Sequence, residues 1–364
     1  MKRLLILLSF LLVLISQAVA ASVNSLYVES PRGLPNTPHL LGLPNDEGPT
    51  VVSAAFHLLD ISEINDEAET FQFTGLLTLR WKDERSAFDP EKENVQEKVY
   101  QGNYQFNEMS PAWYPQVFLV NMSGMFESHG VILRIQPDGT STLTEMINAV
   151  AECDFDMRRY PFDAQRLEAV FGILGFDSSE VVLKIAPALA DTIRDSEQIS
   201  QWQLLDIQHV EQKKGLHLGS AQKAPSSKFI VRVDVKRKPF YVVRLAIIPL
   251  ALIVILSWSI FWMERSSLGD RISVSFVGIL TAVTYQLMIS DALPHISYYT
   301  FMHGFINFSF LIMCVAALMN IVVGTYDKHG KALIGDKVDY RCRWIFPLAY
   351  MGLVLVVVLA TFLF

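Results

Sequence analysis

GDRISVSFVGILTAVTYQLMISD, residues Gly269 to Asp291, is an apolar run of helix length with an acid near each end and hydroxyls between. Asp270 and Arg271 open it, Asp291 closes it, and Ser273, Ser275, Thr281 and Thr284 interrupt it. About 20 apolar residues are enough to cross a hydrocarbon layer as a helix. Ionised groups near that layer are costly, so they turn to water or to a partner. At helical spacing Ser273, Val277, Leu280, Thr284, Leu287 and Asp291 share one face, with Asp270 just before its inner end. Two readings fit this stripe. In one, the same helix from several copies rings a water-filled path. Ser273 and Thr284 wet it, Val277 and Leu280 form an apolar neck, and Asp270 and Asp291 draw cations to its mouths. In the other, the hydroxyls are contacts between helices and the acids are helix-end charges.

Three further apolar runs flank this one: Phe240 to Met263 with Pro249 inside it, Tyr298 to Val323, and Trp344 to Phe364. Together they predict four membrane helices at about 240–263, 271–290, 298–323 and 342–364. The link from Gly324 to Arg343 carries Lys328, Lys331, Lys337, Arg341 and Arg343, which places it on the cytoplasmic side. Residues 1–20 read as a secretory signal peptide: a basic Met1-Lys2-Arg3 start, an apolar Leu4 to Ser16, and an Ala18-Val19-Ala20 cleavage site.

The part between, residues 21–239, is expected outside the cytoplasm. From Thr50 to Lys238 short alternating segments rich in Val, Phe, Leu and Ile are broken by Pro, Gly, Asn and Asp. Gln136-Pro137-Asp138-Gly139 is a turn between two of them. This pattern predicts an antiparallel β-sandwich, preceded by a Pro-rich piece of short helix and loop from Ser22 to Pro49. The domain holds 31 acids against 20 basic residues, in a chain of net charge −7. Such a surface repels nucleic acid and concentrates cations. Of the three cysteines, Cys314 and Cys342 belong to the membrane half, so Cys153 has no partner in its own compartment and no disulfide is expected. There is no GxSxG, HExxH or P-loop, and nothing implies a metal or cofactor. An enzyme is therefore not expected. The remaining functions are a cation channel and a non-conducting membrane-anchored small-molecule sensor.

CDFDMRRYPFDAQRL, Cys153 to Leu167, resembles the signature loop of pentameric ligand-gated ion channels, the Cys-loop receptor superfamily, and in particular their prokaryotic members. WKDER (81–85), AWYPQVFLVN (112–121), Glu197 to Trp202, FYVVRLAIIPLALIVILSW and DALPHISYYT (291–300) are similar to family segments in the same order. The resemblance implies an extracellular immunoglobulin-like all-β sandwich, a four-helix transmembrane bundle and a symmetric pentamer with four further copies of the chain. It implies a ligand-gated channel in the cell membrane whose second helix lines the pore, and gating by pH is a further reading, taken from the histidines below. Gly269-Asp270-Arg271 is similar to the Gly-Glu-Lys of cation-selective members, so monovalent cations are the expected permeant ions, and Leu280 falls at the family's gate leucine.

The chain departs from the family at Leu167, where a second loop cysteine is expected, so packing of Tyr160, Pro161 and Phe162 is left to hold the loop. At the agonist positions stand the ligand-site candidates Leu76, Val120 and Leu174 instead of aromatic residues, with Phe118, Phe176 and Phe229 as further candidates that could rebuild part of an aromatic cage from other positions. A cation-binding cage needs aromatic faces, so a quaternary amine is not the expected agonist; another small molecule or protons remain. The resemblance also implies a coupling cluster of Asp66, Asp163 and Arg237, with Pro294 and His295 in the linker to the third helix. His295 and His303 are proton-sensor candidates, since histidine titrates near neutral pH. Membrane lipid is an expected partner and nucleic acid is not.

Overall fold

The computed structural model describes residues 42–45, 47–102, 113–186, 201–212, 225–264, 268–290, 293 and 297–363. The signal peptide, most of the Pro-rich piece, Asp291, Pro294, His295 and most of the capping loop Lys213 to Ser227 lie outside these residues. The strands are β1 (Thr50–Asn65), β2 (Thr70–Lys82), β3 (Lys98–Gln101), β4 (Val117–Leu119), β5 (Met122–Ile135), β6 (Thr140–Glu152), β7 (Ala164–Ile173), β8 (Val181–Ile185), β9 (Trp202–Gln212) and β10 (Lys228–Arg237). They form a six-stranded sheet in the order β3-β5-β6-β2-β1-β8 and a four-stranded sheet in the order β4-β7-β10-β9.

Period-two alternation explains the sandwich. In β2 the alternate residues Phe71, Phe73, Gly75, Leu77, Leu79 and Trp81 are buried, while those between them are partly exposed or exposed. Their buried face meets Phe171 and Phe229 of the other sheet. Phe56, Phe73 and Phe171 form one aromatic cluster, with ring centroids 5.3 to 6.5 Å apart. Leu167, at the place of the missing second cysteine, is wholly buried in this core. The turn at Gln136 to Gly139 joins β5 to β6, with the Gly139 N–H donating to the Gln136 carbonyl at 2.9 Å. Gly139 has φ +82°, and a Cβ there would sit 2.3 Å from the Asp83 carbonyl oxygen, so only glycine fits. The expectation of a purely antiparallel sandwich is corrected at one edge. β8 pairs with β1 in parallel, Thr50 opposite Val181, because the chain crosses between the sheets after β7.

Four helices follow: α1 (Phe240–Trp262), α2 (Leu268–Ser290), α3 (Phe301–Lys328) and α4 (Ala332–Leu363). α1, α2 and α3 are each long and apolar enough to span a membrane. α4 has 32 residues, and its apolar part starts near Trp344. The helix limits correct those drawn from hydropathy. α3 starts at Phe301 because Thr300 caps it, its Oγ1 accepting the His303 N–H at 3.3 Å. It continues to Lys328, and α4 begins at Ala332, so the expected link from Gly324 to Arg343 is non-helical only at residues 329–331. Once a helix is nucleated, each further residue adds a backbone hydrogen bond whether or not it is apolar, so a helix outlasts its apolar segment.

α1 contains a π-helical turn, Val243–Ile247, just before Pro249. Proline has no N–H to offer the carbonyl four residues back, that of Leu245. The hydroxyl of Tyr285 on α2 donates to that carbonyl instead. At the other end α2 and α3 approach so closely that a Cβ on Gly324 would meet Leu268 at 2.7 Å.

Candidate functional site

The faces of α2 divide by chemistry. Val277, Leu280 and Leu287 are 62, 66 and 69% exposed, and Asp270, Ser273 and Thr284 are exposed beside them. Arg271, Ser275, Ala282 and Ile289, on the opposite side, are buried against the other helices. The stripe from Asp270 to Leu287 thus lies on the side of α2 that its own bundle leaves uncovered, while Asp291 lies outside the described residues. Phe276 and Met288 flank it and are exposed as well. Ser273 Oγ donates to the Gly269 carbonyl at 2.9 Å, so the oxygen's lone pairs are what it presents outward. Off the stripe, Ser275 Oγ bonds back to the Arg271 carbonyl and Thr281 Oγ1 to that of Val277.

Asp66, Asp163 and Arg237 meet. Arg237 Nε donates to Asp163 Oδ1 at 2.8 Å, and Nη2 donates to Asp66 Oδ1 at 2.8 Å and to Asp163 Oδ2 at 3.3 Å. Register brings them together: Asp66 follows β1, Asp163 precedes β7, and Arg237 ends β10, the neighbour of β7. The guanidinium lies 4.1 Å from the Trp202 ring centroid and 4.8 Å from that of Tyr160. Burial alone would lower the Arg237 pKa, but its hydrogen bonds to both carboxylates outweigh it and hold the guanidinium above its ordinary value. Burial pushes the Tyr160 hydroxyl up to about 12, so the ring over Arg237 stays neutral. Spacing gave no sign of Trp202; its place at the start of β9, paired with Arg237, was the available signal.

The signature loop also grips the start of α3. Tyr298 Oη accepts the Met157 N–H at 2.9 Å and donates to the Phe155 carbonyl at 3.1 Å. The Phe301 N–H donates to the Arg158 carbonyl at 2.9 Å, and the Phe162 ring stands edge-on to Phe301 at 5.6 Å. Tyr160 is buried, and the Tyr160–Pro161 peptide is cis. Cys153 is a free, buried thiol whose Sγ accepts the Glu168 N–H at 3.2 Å, and burial pushes its pKa up to about 11. Nothing local in the sequence marks Tyr298, because its partners Phe155 and Met157 lie in the signature loop far back in the chain.

The agonist positions separate. Phe118, Val120 and Leu174 lie along the β4–β7 pair, where the Leu174 N–H donates to Gln116 and the Val120 N–H to Val170. Phe176 packs edge-on against Trp113 at 6.2 Å. Leu76 lies in β2 of the other sheet, opposite Met146. Phe229 is removed from the candidates: it is 1% exposed, inside the sandwich, and stacked on His209 at 5.5 Å. Its position in β10 points it inward by the same alternation that builds the core.

The inner end of the bundle holds a buried ion pair that spacing did not reveal. Arg271 donates from Nη1 and Nη2 to the two oxygens of Asp339, each at 3.0 Å, and from Nε to the Ile260 carbonyl at 2.8 Å. Arg343 Nε donates to the Phe261 carbonyl at 2.8 Å. The two arginines thus bond carbonyls in the last turn of α1, that of Ile260 also accepting the Met263 N–H at 3.3 Å.

Comparison with known proteins agrees with this architecture. The family model described as neurotransmitter-gated ion-channel ligand binding domain matches residues 39–239, and that of the neurotransmitter-gated ion-channel transmembrane region matches residues 246–332. A proton-gated ion channel of Gloeobacter violaceus is 25% identical over 309 residues, 85% of this chain and 82% of that protein. A gamma-aminobutyric acid receptor subunit beta-like of Drosophila melanogaster is 26% identical over 305 residues, 81% of this chain and 59% of the relative. Subunit rho-1 of the gamma-aminobutyric acid receptor of Mus musculus is 23% identical over 308 residues, 82% and 62%. The chain therefore spans about three-fifths of the length of these two animal relatives.

Proposed function

The chain belongs to the neurotransmitter-gated ion-channel family, and from that membership we propose that five copies form a gated channel passing monovalent cations along a path lined by α2. The protein is an integral multi-pass membrane protein with its β-sandwich outside, in a family that is not enzymatic. Membership leaves the sign of the permeant ion open. The observation that carries the cation reading is the uncovered side of α2, with Ser273, Val277, Leu280, Thr284 and Leu287 exposed and Asp270 beside them at the inner end. Five Asp270 carboxylates at the narrow end of a water-filled path make a cation-attracting mouth. In the sequence Asp291 directly follows the last residue of α2. Leu280 and Val277 supply the apolar neck at which opening is decided.

Opening starts in the sandwich and reaches α2 through the junction. Asp66, Asp163 and Arg237 tie β1, β7 and β10 together, and the loop from Cys153 to Asp163 holds Tyr298 and Phe301. Movement of that loop then pulls on the linker that contains Pro294 and His295. The agonist region offers aliphatic Leu76, Val120 and Leu174, so an amine held by aromatic faces is not favoured. Protons are the trigger with a group in place. His303 Nδ1 lies 2.7 Å from Oγ1 of Thr300, the cap of α3. Recording currents across a bilayer with ion substitution tests the function. A reversal potential that follows sodium and potassium supports it. One that follows chloride, or silence across ligands and pH, refutes it, and silence would favour a sensor without conduction.

A further inference from the structure

We propose that Asp339, on α4, is a positioning residue for ion selectivity: by pairing with Arg271 it sets the net charge at the Asp270 mouth. The proposal rests on the reading of α2 as the pore wall. Arg271 is 1% exposed and Asp339 4%, so both charges are withdrawn from solvent. They meet through two parallel 3.0 Å bonds, the fork geometry that suits guanidinium to carboxylate. The third Arg271 bond, to the Ile260 carbonyl, ties the same side chain to the end of α1.

Two consequences follow for Asp270, the residue before Arg271. The first is rotational. Neighbours on a helix stand about 100° apart, so with Arg271 buried in the bundle Asp270 stands toward the uncovered side. The second is electrostatic. Arginine keeps its charge at any physiological pH. Without Asp339, each subunit would place an uncompensated positive charge next to each Asp270. Five such charges would cancel the field of the five carboxylates. With Asp339 in place, Arg271 is neutralised inside the bundle and the carboxylates act alone. A residue facing away from the path thereby governs which ions enter it.

The experiment is reversal potential under a salt gradient, with single-channel conductance, on full-length channels whose surface expression is measured in parallel. Asp270→Asn serves as the reference for the mouth itself. Asp339→Asn is expected to lower the cation-to-anion permeability ratio about tenfold, the scale on which a one-signed cleft enriches counter-ions. Arg271→Gln/Asp339→Asn, which removes both charges, is expected to return the ratio toward that of the unaltered channel. Loss of packing alone cannot produce that return, because the double variant removes more contacts than the single one. If five substituted copies fail to assemble, mixed pentamers with unaltered subunits give a graded version of the same shift. An unchanged ratio in Asp339→Asn channels, or a double variant as impaired as the single, overturns the proposal. An anion-selective unaltered channel, or an Asp270→Asn channel with unchanged selectivity, instead overturns the pore reading beneath it.

Discussion

Replacing Arg237 by alanine removes the one cation between two carboxylates. Asp163 is 1% exposed at its side chain and Asp66 23%, so neither is left in free solvent. Deleting one partner of a buried ion pair costs about 3–5 kcal/mol, chiefly by stranding the other charge. The Trp202 and Tyr160 faces each add about 0.5–2 kcal/mol that does not sum simply with it. For a cluster intact in only one gating state, about 3–5 kcal/mol moves the equilibrium between states by roughly two to four orders of magnitude. Arg237→Ala should therefore give channels that reach the surface and barely open. Arg237→Lys keeps the charge but loses the fork that spans both acids, and should fall between. Asp163→Asn should do more harm than Asp66→Asn, because Asp163 accepts two of the three bonds and is the more buried. The assay is macroscopic current normalised to surface protein, over the full range of activator. Arg237→Ala channels with unaltered activation would show that the cluster is the same in every state and couples nothing.

Other outcomes follow from the same geometry. Tyr298→Phe strands the buried Met157 N–H at about 1–3 kcal/mol and should require a stronger stimulus for half-activation, read from dose–response curves; unshifted curves would remove Tyr298 from the coupling path. Cys153, raised by burial to about 11, holds only about one thiolate in ten thousand at neutral pH, so thiol reagents should leave it unmodified by mass spectrometry until the domain unfolds. His303→Asn replaces the ring that lies 2.7 Å from the Thr300 hydroxyl at the start of α3, and should flatten the current–pH curve between mild alkali and mild acid. A curve of unchanged shape would exclude His303 as the sensor.

Much of this was legible because hydropathy and alternation are one-dimensional signals. The four apolar runs, the strand segments and the Gln136 to Gly139 turn stand in the sequence at their periods, and the α2 stripe needed only helical spacing. The resemblance added the trio Asp66, Asp163 and Arg237, which lie far apart in the chain. What escaped was pairing between elements. Nothing local links Arg271 to Asp339, 68 residues on, or Tyr285 to the carbonyl freed by Pro249. Helix ends were misplaced where charged residues continue a helix past its apolar part, as at Asp327 and Lys328. Phe229 was misassigned because an aromatic near a binding position looks the same in sequence whether it points outward or into the core.

The central claim is that one side of α2 faces water inside an assembly of copies. Single cysteines at 273, 280 and 284, and at the bundle-facing positions 275 and 282, should be exposed to a charged thiol reagent during channel opening, with Cys153, Cys314 and Cys342 retained as the unaltered background. The account predicts that modification at 273, 280 and 284 blocks current quickly and that 275 and 282 do not react. Rapid block from 275 and 282 with none from 273, 280 and 284 would contradict it.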